Sequence, residues 1–111
     1  GLRDTQFGPA VMFGLGGIFV EVFKDVSFRI APVTEYEALD MIHDVKGSMI
    51  LKGFRNMKAL DISALVKTII QVSGIMVSEG NIKEIYLNPV FVYPKGIIAV
   101  YARIVLHQLT Q

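Results

Sequence analysis

Hydrophobic and polar positions follow a strand-like pattern in the first third of the chain. Residues 10–13 are apolar, residues 18–23 are rich in β-branched and aromatic side chains, and residues 26–30 alternate with a period of two. Such runs favour strands, and the alternating run is typical of a strand with one face toward solvent. The glycines within residues 14–17 and the pair at 24–25 supply turns. We therefore predict three consecutive strands before residue 31.

Two helices are predicted next from their caps and their apolar spacing. Residues 34–37, Thr-Glu-Tyr-Glu, have the form of a capping box, and Gly47 is expected to end the helix that follows. Asp61 is a favourable N-cap for a second helix over residues 62–78, whose apolar residues recur at helical spacing. Residues 47–60 show no period and are predicted to form a loop.

The last predicted element is a hairpin that folds back about Pro94-Lys95. If its turn has two residues, Asn88 lies opposite Tyr101, and Tyr86 lies opposite Arg103. A three-residue turn with a glycine bulge would shift the pairing by one position. The pattern leaves both registers open.

The element order β-β-β-α-α-β-β predicts an α+β fold, with a mainly antiparallel sheet and two main helices packed on it. Residues 1–111 are expected to form a single domain. Hydrophobic residues make up 52% of the chain and its mean hydropathy is +0.50, which exceeds what so small a core requires. We therefore expect a buried interface with a partner or with a second copy.

The composition also excludes several classes of function. The longest uncharged stretch, residues 5–20, contains a proline and four glycines and is shorter than the roughly 20 apolar residues of a membrane span. The net charge is +1 and no lysine or arginine cluster follows one element, which argues against a nucleic-acid partner. No cysteine is present, so disulfides and thiolate sites are excluded. No secretory signal pattern occurs at the start, and we expect a cytoplasmic protein.

The glycine run at residues 14–17 does not fit a known phosphate-binding loop. A strand pattern follows it instead of a helix, and no Gly-Lys-Ser/Thr sequence occurs there. His43 and His107 lack the spaced histidines or carboxylates of a metal site. Neither feature predicts an active site by itself.

An ordered series of motifs resembles the ATP-grasp part, or β subunit, of ADP-forming acyl-CoA (acetyl-CoA) synthetases. The series is Phe-Gly-Pro at residues 7–9, the strand motifs at 13–22 and 24–32, Lys46-Gly47, the capped helix from Asp61, Glu-Ile-Tyr-Leu-Asn-Pro at 84–89, and Val-Tyr-Ala-Arg at 100–103. The series runs in order over nearly the whole chain.

The resemblance implies the C-terminal subdomain of an ATP-grasp fold. The family comprises cytoplasmic ligases that interconvert acyl-CoA, ADP and phosphate with the free acid, CoA and ATP, by way of a phosphohistidine on the CoA-binding part. ATP or ADP and Mg²⁺ are the implied cofactors, held between two subdomains of which this chain supplies the second. The implied partners are the remaining ATP-grasp subdomain and the CoA-binding subunit, and the isolated chain is not expected to be active.

The resemblance also assigns site residues. Arg103 and Glu21 become candidate nucleotide- or phosphate-binding residues, and Asn88 becomes a candidate metal ligand, whereas no catalytic residue is assigned. Tyr86 and Tyr101 stand where the family has acidic residues. A neutral phenol supplies neither the charge nor the oxygen ligands that Mg²⁺ prefers, so the metal site is expected to be impaired. Two functions stay open: a component of the ligase, or a degenerate half-domain with a structural or interaction role.

Overall fold

The computed structural model describes residues 1–15, 25–53 and 58–108. The strands within these ranges are β1 (Leu2–Asp4), β2 (Gly8–Gly14), β3 (Val26–Ile30), β4 (Ile82–Leu87), β5 (Val90–Val92), β6 (Ile97–Ala99) and β7 (Ala102–Leu106). The helices are α1 (Glu35–Asp44), α2 (Met49–Lys52) and α3 (Ile62–Ser78), and a 3-10 turn, Lys46–Ser48, precedes α2. No helix in the described ranges is long and apolar enough to cross a membrane.

The described strands form a five-stranded antiparallel sheet in the order β3-β2-β1-β4-β7, with β5 and β6 as a separate two-stranded extension. Helices α1 and α3 pack together and against this sheet. The predicted α+β class with a mainly antiparallel sheet is therefore confirmed. The predicted strand over residues 18–23 lies outside the described residues.

Both long helices begin where their caps predict. Thr34 and Glu37 exchange the two bonds of a capping box: the Glu37 amide donates to the Thr34 hydroxyl at 3.1 Å, and the Thr34 amide donates to the Glu37 carboxylate at 3.2 Å. Asp61 caps α3 by accepting from the Ala64 amide at 3.0 Å. These polar groups satisfy amides that a helix leaves without partners in its first turn.

Asp61 also fixes the hairpin tip. Its second carboxylate oxygen accepts from the Gly96 amide at 2.7 Å, and its own amide donates to the Tyr93 carbonyl at 2.7 Å. The hydrogen bond from Gly96, followed by that from Ala64, lowers the pKa of the Asp61 carboxyl. One side chain therefore joins the start of α3 to the β5–β6 turn.

Three local expectations are wrong. Helix α1 ends at Asp44 with Val45 extended, so Gly47 is not its terminator. Residues 47–60 are not all loop, because α2 forms within them and buries Leu51 to 4% exposure. Strand β1 was not expected either. Both α2 and β1 are too short to show a period in sequence, and packing and strand pairing create them.

The core lies between the helices and one face of the sheet. Its buried members include Val11, Met41, Ile42, Leu65, Ile69, Val72, Met76, Ile82 and Ile85. Two buried serines satisfy backbone groups between the layers: Ser73 accepts from the Val33 amide at 2.7 Å, and Ser27 donates to the Met41 carbonyl at 2.6 Å. These bonds hold β3 and the entry to α1 against the helices.

The final hairpin has the register of a two-residue turn. Val92 pairs with Ile97, and the Tyr93 amide donates to the Gly96 carbonyl at 3.0 Å across Pro94-Lys95. The hairpin nevertheless divides into two parts. Its base, β4 and β7, joins the main sheet, whereas its tip, β5 and β6, leaves the sheet and reaches the start of α3.

The first residue is built into the sheet. The Gly1 amine donates to the Ile85 carbonyl at 2.8 Å, and the Ile85 amide donates to the Gly1 carbonyl at 2.9 Å. Burial lowers the pKa of this amine from 8.0 to about 6, and the nearby negative charge of Glu84 opposes the change. The folded chain therefore disfavours the charged amine.

A pair of glycine substitutions should change stability in opposite directions. Gly74 lies exposed in α3, and an added Cβ meets no atom within 4 Å, so Gly74→Ala should raise the free energy of unfolding by about 0.5–1 kcal/mol. Gly96 has a φ of +90°, which disfavours a side chain, so Gly96→Ala should lower it by ~1 kcal/mol or more. Urea unfolding measures both, and changes of the same sign would contradict this account.

In a chain that begins at Gly1, the buried amine should make stability rise between pH 6 and pH 8. In that window the unfolded chain, with an amine pKa near 8, binds more protons than the folded chain, whose amine has a pKa of about 6. Because the amine keeps some contact with solvent, which screens the effect, we expect a gain of about 1 kcal/mol. Unfolding at both pH values measures it, with the N-acetylated chain as the control that retains both histidines. Equal pH dependence in the two chains would refute the explanation.

Candidate functional site

The sheet presents one face that the described helices do not cover. Ser27 and Arg29 point to the helix side, since they bond to Met41 and to Asp40 and Asp44 of α1, respectively. Side chains alternate along a strand, so the intervening residues of β3 and their neighbours on β2 point the other way. These outward residues include Met12 (52% exposed), Phe28 (38%) and Ile30 (50%). The uncovered face therefore carries an apolar band.

The predicted site residues lie farther along the same face, on β4 and β7. Ile85 and Leu87 pack toward the core, so Tyr86 between them points to the uncovered face. Tyr86 pairs directly with Arg103, and the guanidinium carbon of Arg103 lies 5.6 Å from the centre of the Tyr86 ring. This is a cation–π contact between partly exposed side chains.

Asn88 and Tyr101 continue this register beyond the ends of the strands. The Asn88 amide donates to the Tyr101 carbonyl at 3.1 Å. The predicted opposition of Asn88 to Tyr101, and of Tyr86 to Arg103, is therefore confirmed. Because Tyr86 opposes residue 103, Tyr86 and Tyr101 are diagonal neighbours rather than a directly facing pair. Tyr101 is 54% exposed.

A cavity of about 290 Å³ opens beside this row. It lies between β2 and β4, and its lining includes Met12, Gly14, Glu84, Tyr86 and Asn88. Arg103 and Tyr101 are not part of the lining. The structure therefore brings Tyr86 and Asn88 to one cavity. Arg103 lies outside its lining, next to the Tyr86 ring. Glu21 lies outside the described residues.

Among the residues that the structure describes, the side chains around Asn88 do not fit an Mg²⁺ site. Mg²⁺ prefers octahedral oxygen ligands with negative charge. Among the described residues, no group of three or more histidine, cysteine, aspartate or glutamate side chains is placed to hold a metal ion. At the position that the resemblance marks, Asn88 offers one amide oxygen, and the neighbouring positions are the phenols Tyr86 and Tyr101. The impairment of the metal site stays a prediction.

Sequence reasoning missed the β2 side of the cavity. In the sequence, Met12 and Gly14 have the pattern of an ordinary strand and the turn that follows it. Nothing in this pattern shows that β2 lies across a cavity from β4. Glu84 belongs to the motif at residues 84–89, and the sequence does not show that it borders a cavity. It is the cavity's carboxylate among the described residues, and its charge acts on the Gly1 amine. Its alternation with Ile85 was the one available signal for its direction.

Known proteins match the chain closely. A family model for the ATP-grasp domain matches residues 1–106. The β subunit of acetate–CoA ligase (ADP-forming) I from Pyrococcus furiosus is 53% identical over 105 residues, which cover 95% of this chain and 45% of that subunit. The acetate–CoA ligase (ADP-forming) I from Archaeoglobus fulgidus is 48% identical over 104 residues, covering 94% of this chain and 15% of that protein.

A solved structure has the same fold at high identity. It is a dinucleotide forming acetyl-coenzyme A synthetase 1 from Ca. Korarchaeum cryptofilum, in complex with coenzyme A and Mg-AMPPCP, with a TM-score of 0.91 and 55% identity. The match covers 96% of this chain and 50% of that one. The chain thus spans about half or less of the length of the relatives it matches. The resemblance to the ATP-grasp part of these ligases is confirmed, and the chain belongs to the ATP-grasp family.

Proposed function

We propose that this chain is one component of an ADP-forming acyl-CoA synthetase. The reaction interconverts acyl-CoA, ADP and phosphate with the acid, CoA and ATP, and the matched relatives suggest acetate or a similarly small acid as substrate. The chain, as the C-terminal ATP-grasp subdomain, supplies one wall of the nucleotide site. The partners are the remaining subdomain and the CoA-binding part. A cytoplasmic location stays a prediction.

The observation that carries this proposal is the uncovered sheet face. It combines an apolar band at Met12, Phe28 and Ile30 with a polar row at Tyr86, Asn88 and Arg103. A nucleotide has an apolar base and an anionic phosphate chain, so a surface of this kind suits one side of it. Ligand sites usually enclose most of the ligand surface, and a single face does not. A second subdomain is therefore needed to close the site.

Arg103 is the residue that we assign to the phosphates. It is exposed on the uncovered face, and its guanidinium is always charged and offers a planar set of donors for phosphate oxygens. Its guanidinium carbon lies 5.6 Å from the centre of the Tyr86 ring, within the range of a cation–π contact. Asn88 lines the cavity together with Tyr86. Glu21, the other candidate from the resemblance, keeps its proposed nucleotide-binding role without a structural argument.

A second candidate function rests on the tyrosines. Tyr86 and Tyr101 stand where the resemblance expects acids near Asn88. Phenols at these two positions make a poor environment for Mg²⁺. A half-domain that keeps the fold and the interface, but has lost its metal chemistry, would look like this. The alternative is thus a non-catalytic structural or interaction subunit.

Nucleotide binding tests the proposed function. The isolated chain should bind Mg-ATP more weakly than millimolar in calorimetry, because one face leaves most of the nucleotide in water. Replacing the matched region of the Pyrococcus furiosus β subunit with this chain should restore tight binding, because the graft supplies the other subdomain. The unmodified subunit is the control. Micromolar binding by the isolated chain would contradict the half-site, and a folded graft that binds nothing would contradict the nucleotide role.

Catalysis by the same graft separates the two candidates. Formation of ATP from acetyl-CoA, ADP and phosphate by the graft, assembled with the CoA-binding subunit, supports a working ligase component. A graft that binds nucleotide but forms ATP only after Tyr86→Asp and Tyr101→Asp supports the non-catalytic subunit. A graft that stays inactive with both acids present, although it binds nucleotide, argues against the ligase assignment.

The tyrosine pair gives a prediction for the isolated chain. Tyr86→Asp with Tyr101→Asp should lower the free energy of unfolding by about 1 kcal/mol, because the stacking on Arg103 is lost. Mg²⁺ that binds only the folded variant should recover about 1.4 kcal/mol at ten times its Kd. Melting temperatures with and without millimolar Mg²⁺ measure both effects. The parent chain should not respond to Mg²⁺.

Tyr36→Asp serves as the matched control for that experiment. Tyr36 lies on α1, 78% exposed, so the same chemical change there should cost little and create no response to Mg²⁺. A parent chain stabilised by Mg²⁺ through Asn88 would show that the metal site is intact. A double variant that ignores Mg²⁺ would show that acids at these two positions do not suffice to rebuild it.

A further inference from the structure

The final hairpin changes direction at a corner formed by Asn88, Pro89, Val100 and Tyr101. Strands β4 and β7 belong to the main sheet on one side of this corner, and β5 and β6 form the separate tip on the other side. Two hydrogen bonds cross the corner: the Asn88 amide donates to the Tyr101 carbonyl at 3.1 Å, and the Val100 amide donates to the Pro89 carbonyl at 2.9 Å. Asn88, which the proposed function uses, therefore stands at the bend.

The tip is tied to the rest of the chain at its far end. The Gly96 amide donates to the Asp61 carboxylate at 2.7 Å, and the Asp61 amide donates to the Tyr93 carbonyl at 2.7 Å. Val92 adds an apolar contact with the core. An apolar contact has no preferred direction, whereas a hydrogen bond requires both a short distance and a good angle. Asp61 therefore determines where the tip lies relative to the start of α3.

Asp61 suits this task because its two carboxylate oxygens have different partners. One oxygen accepts from the Ala64 amide at 3.0 Å and caps α3, and the other accepts from Gly96. Hydrogen bonds to an ionised acceptor are roughly twice as strong as those between neutral groups. Helix α3 itself packs against β2 and β4. The capped start of α3 thus gives the tip a fixed support.

We propose that Asp61 is a positioning residue for the candidate site, acting through the hairpin tip on the corner at Asn88. A tip held by Asp61 leaves the corner one arrangement, whereas a released tip allows others. Only the arrangement that keeps Asn88 in register with Tyr101 serves the site, so release lowers nucleotide affinity in proportion to the population of that arrangement. This last step rests on the proposed function, whereas the effect on the corner does not.

Two substitutions separate the tip bond from the helix cap. Asp61→Asn and Asp61→Ser both keep a good N-cap for α3. In place of the second acceptor oxygen, asparagine has an NH₂ donor and serine has no group, so the bond from Gly96 is lost in both. Thr34→Ala is the matched control, because it removes a helix cap from α1, which is far from the hairpin in sequence and has no hydrogen bond to it.

Hydrogen exchange in the isolated chain measures the effect on the corner. Loss of a hydrogen bond to a charged group should speed exchange at the Gly96 amide by about tenfold in both Asp61 variants. Exchange at Asn88 and Val100 should rise by about threefold as the corner opens with the tip. The Ala31 amide, which bonds to Pro9 between β2 and β3, should keep its rate. Thr34→Ala should leave the corner amides unchanged.

Nucleotide binding by the Pyrococcus furiosus graft measures the effect on the site. Asp61→Asn and Asp61→Ser in the graft should raise the Kd for Mg-ATP by about threefold or more, whereas Thr34→Ala should leave it at the parent value. Calorimetry well below the melting temperature, with circular dichroism to verify folding, prevents lower stability from weakening the measured affinity. A parent graft that binds nothing would contradict the proposed function, and the exchange rates would then decide by themselves whether Asp61 positions the corner.

Three other outcomes would overturn the proposal. Faster exchange at Ala31 together with the hairpin amides would show a general loss of stability instead of a local effect. Faster exchange at Gly96 alone would show that the corner keeps its arrangement without the tip. Faster exchange at the corner with an unchanged Kd in the folded graft would show that the corner does not control nucleotide binding.

Discussion

Helices α1 and α3 both pack on the same face of the five-stranded sheet, and this one-sided cover governs the rest of the structure. It buries Val11, Ile82 and Ile85 beneath α3 while leaving Met12, Phe28 and Ile30 exposed on the other side. A sheet with two apolar faces is stable against water only where both are covered. The second apolar face explains why so large a fraction of the chain is apolar. It is also the reason to expect a partner that covers this face.

Polar ties hold the layers in place around that core. Ser27 and Ser73 bond β3 and the start of α1 to the helices, and Arg3 donates to the Met76 carbonyl at 2.8 Å near the end of α3. Asp61 joins the start of α3 to Gly96 in the hairpin tip. Both ends of α3 are thus anchored to strands distant in sequence. The hairpin base, which carries the candidate site, is held between these anchors.

The candidate site combines the strand pairing of the shared fold with side chains that differ from those the resemblance leads one to expect. The register brings together Asn88, Tyr86 and Arg103, which the resemblance marks as candidates, and the fold is shared with a nucleotide-bound relative at a TM-score of 0.91. Tyr86 and Tyr101 stand where the resemblance expects acidic side chains, and Arg103 lies beside the Tyr86 ring. Fold and chemistry therefore carry separate information, because strand pairing depends on the backbone and metal binding depends on the side-chain oxygens.

By itself the sequence determined the fold class, the starts of both long helices and the two possible hairpin registers, because caps, apolar periods and turn residues act over a few neighbouring positions. It also marked Tyr86 and Tyr101 as departures from the pattern of the family that the chain resembles. Only the tertiary structure decided that β1 exists, that α2 interrupts the expected loop and that the hairpin tip leaves the sheet. These features depend on contacts between distant segments, such as Gly1 with Ile85 and Asp61 with Gly96, and no local pattern encodes which segments meet.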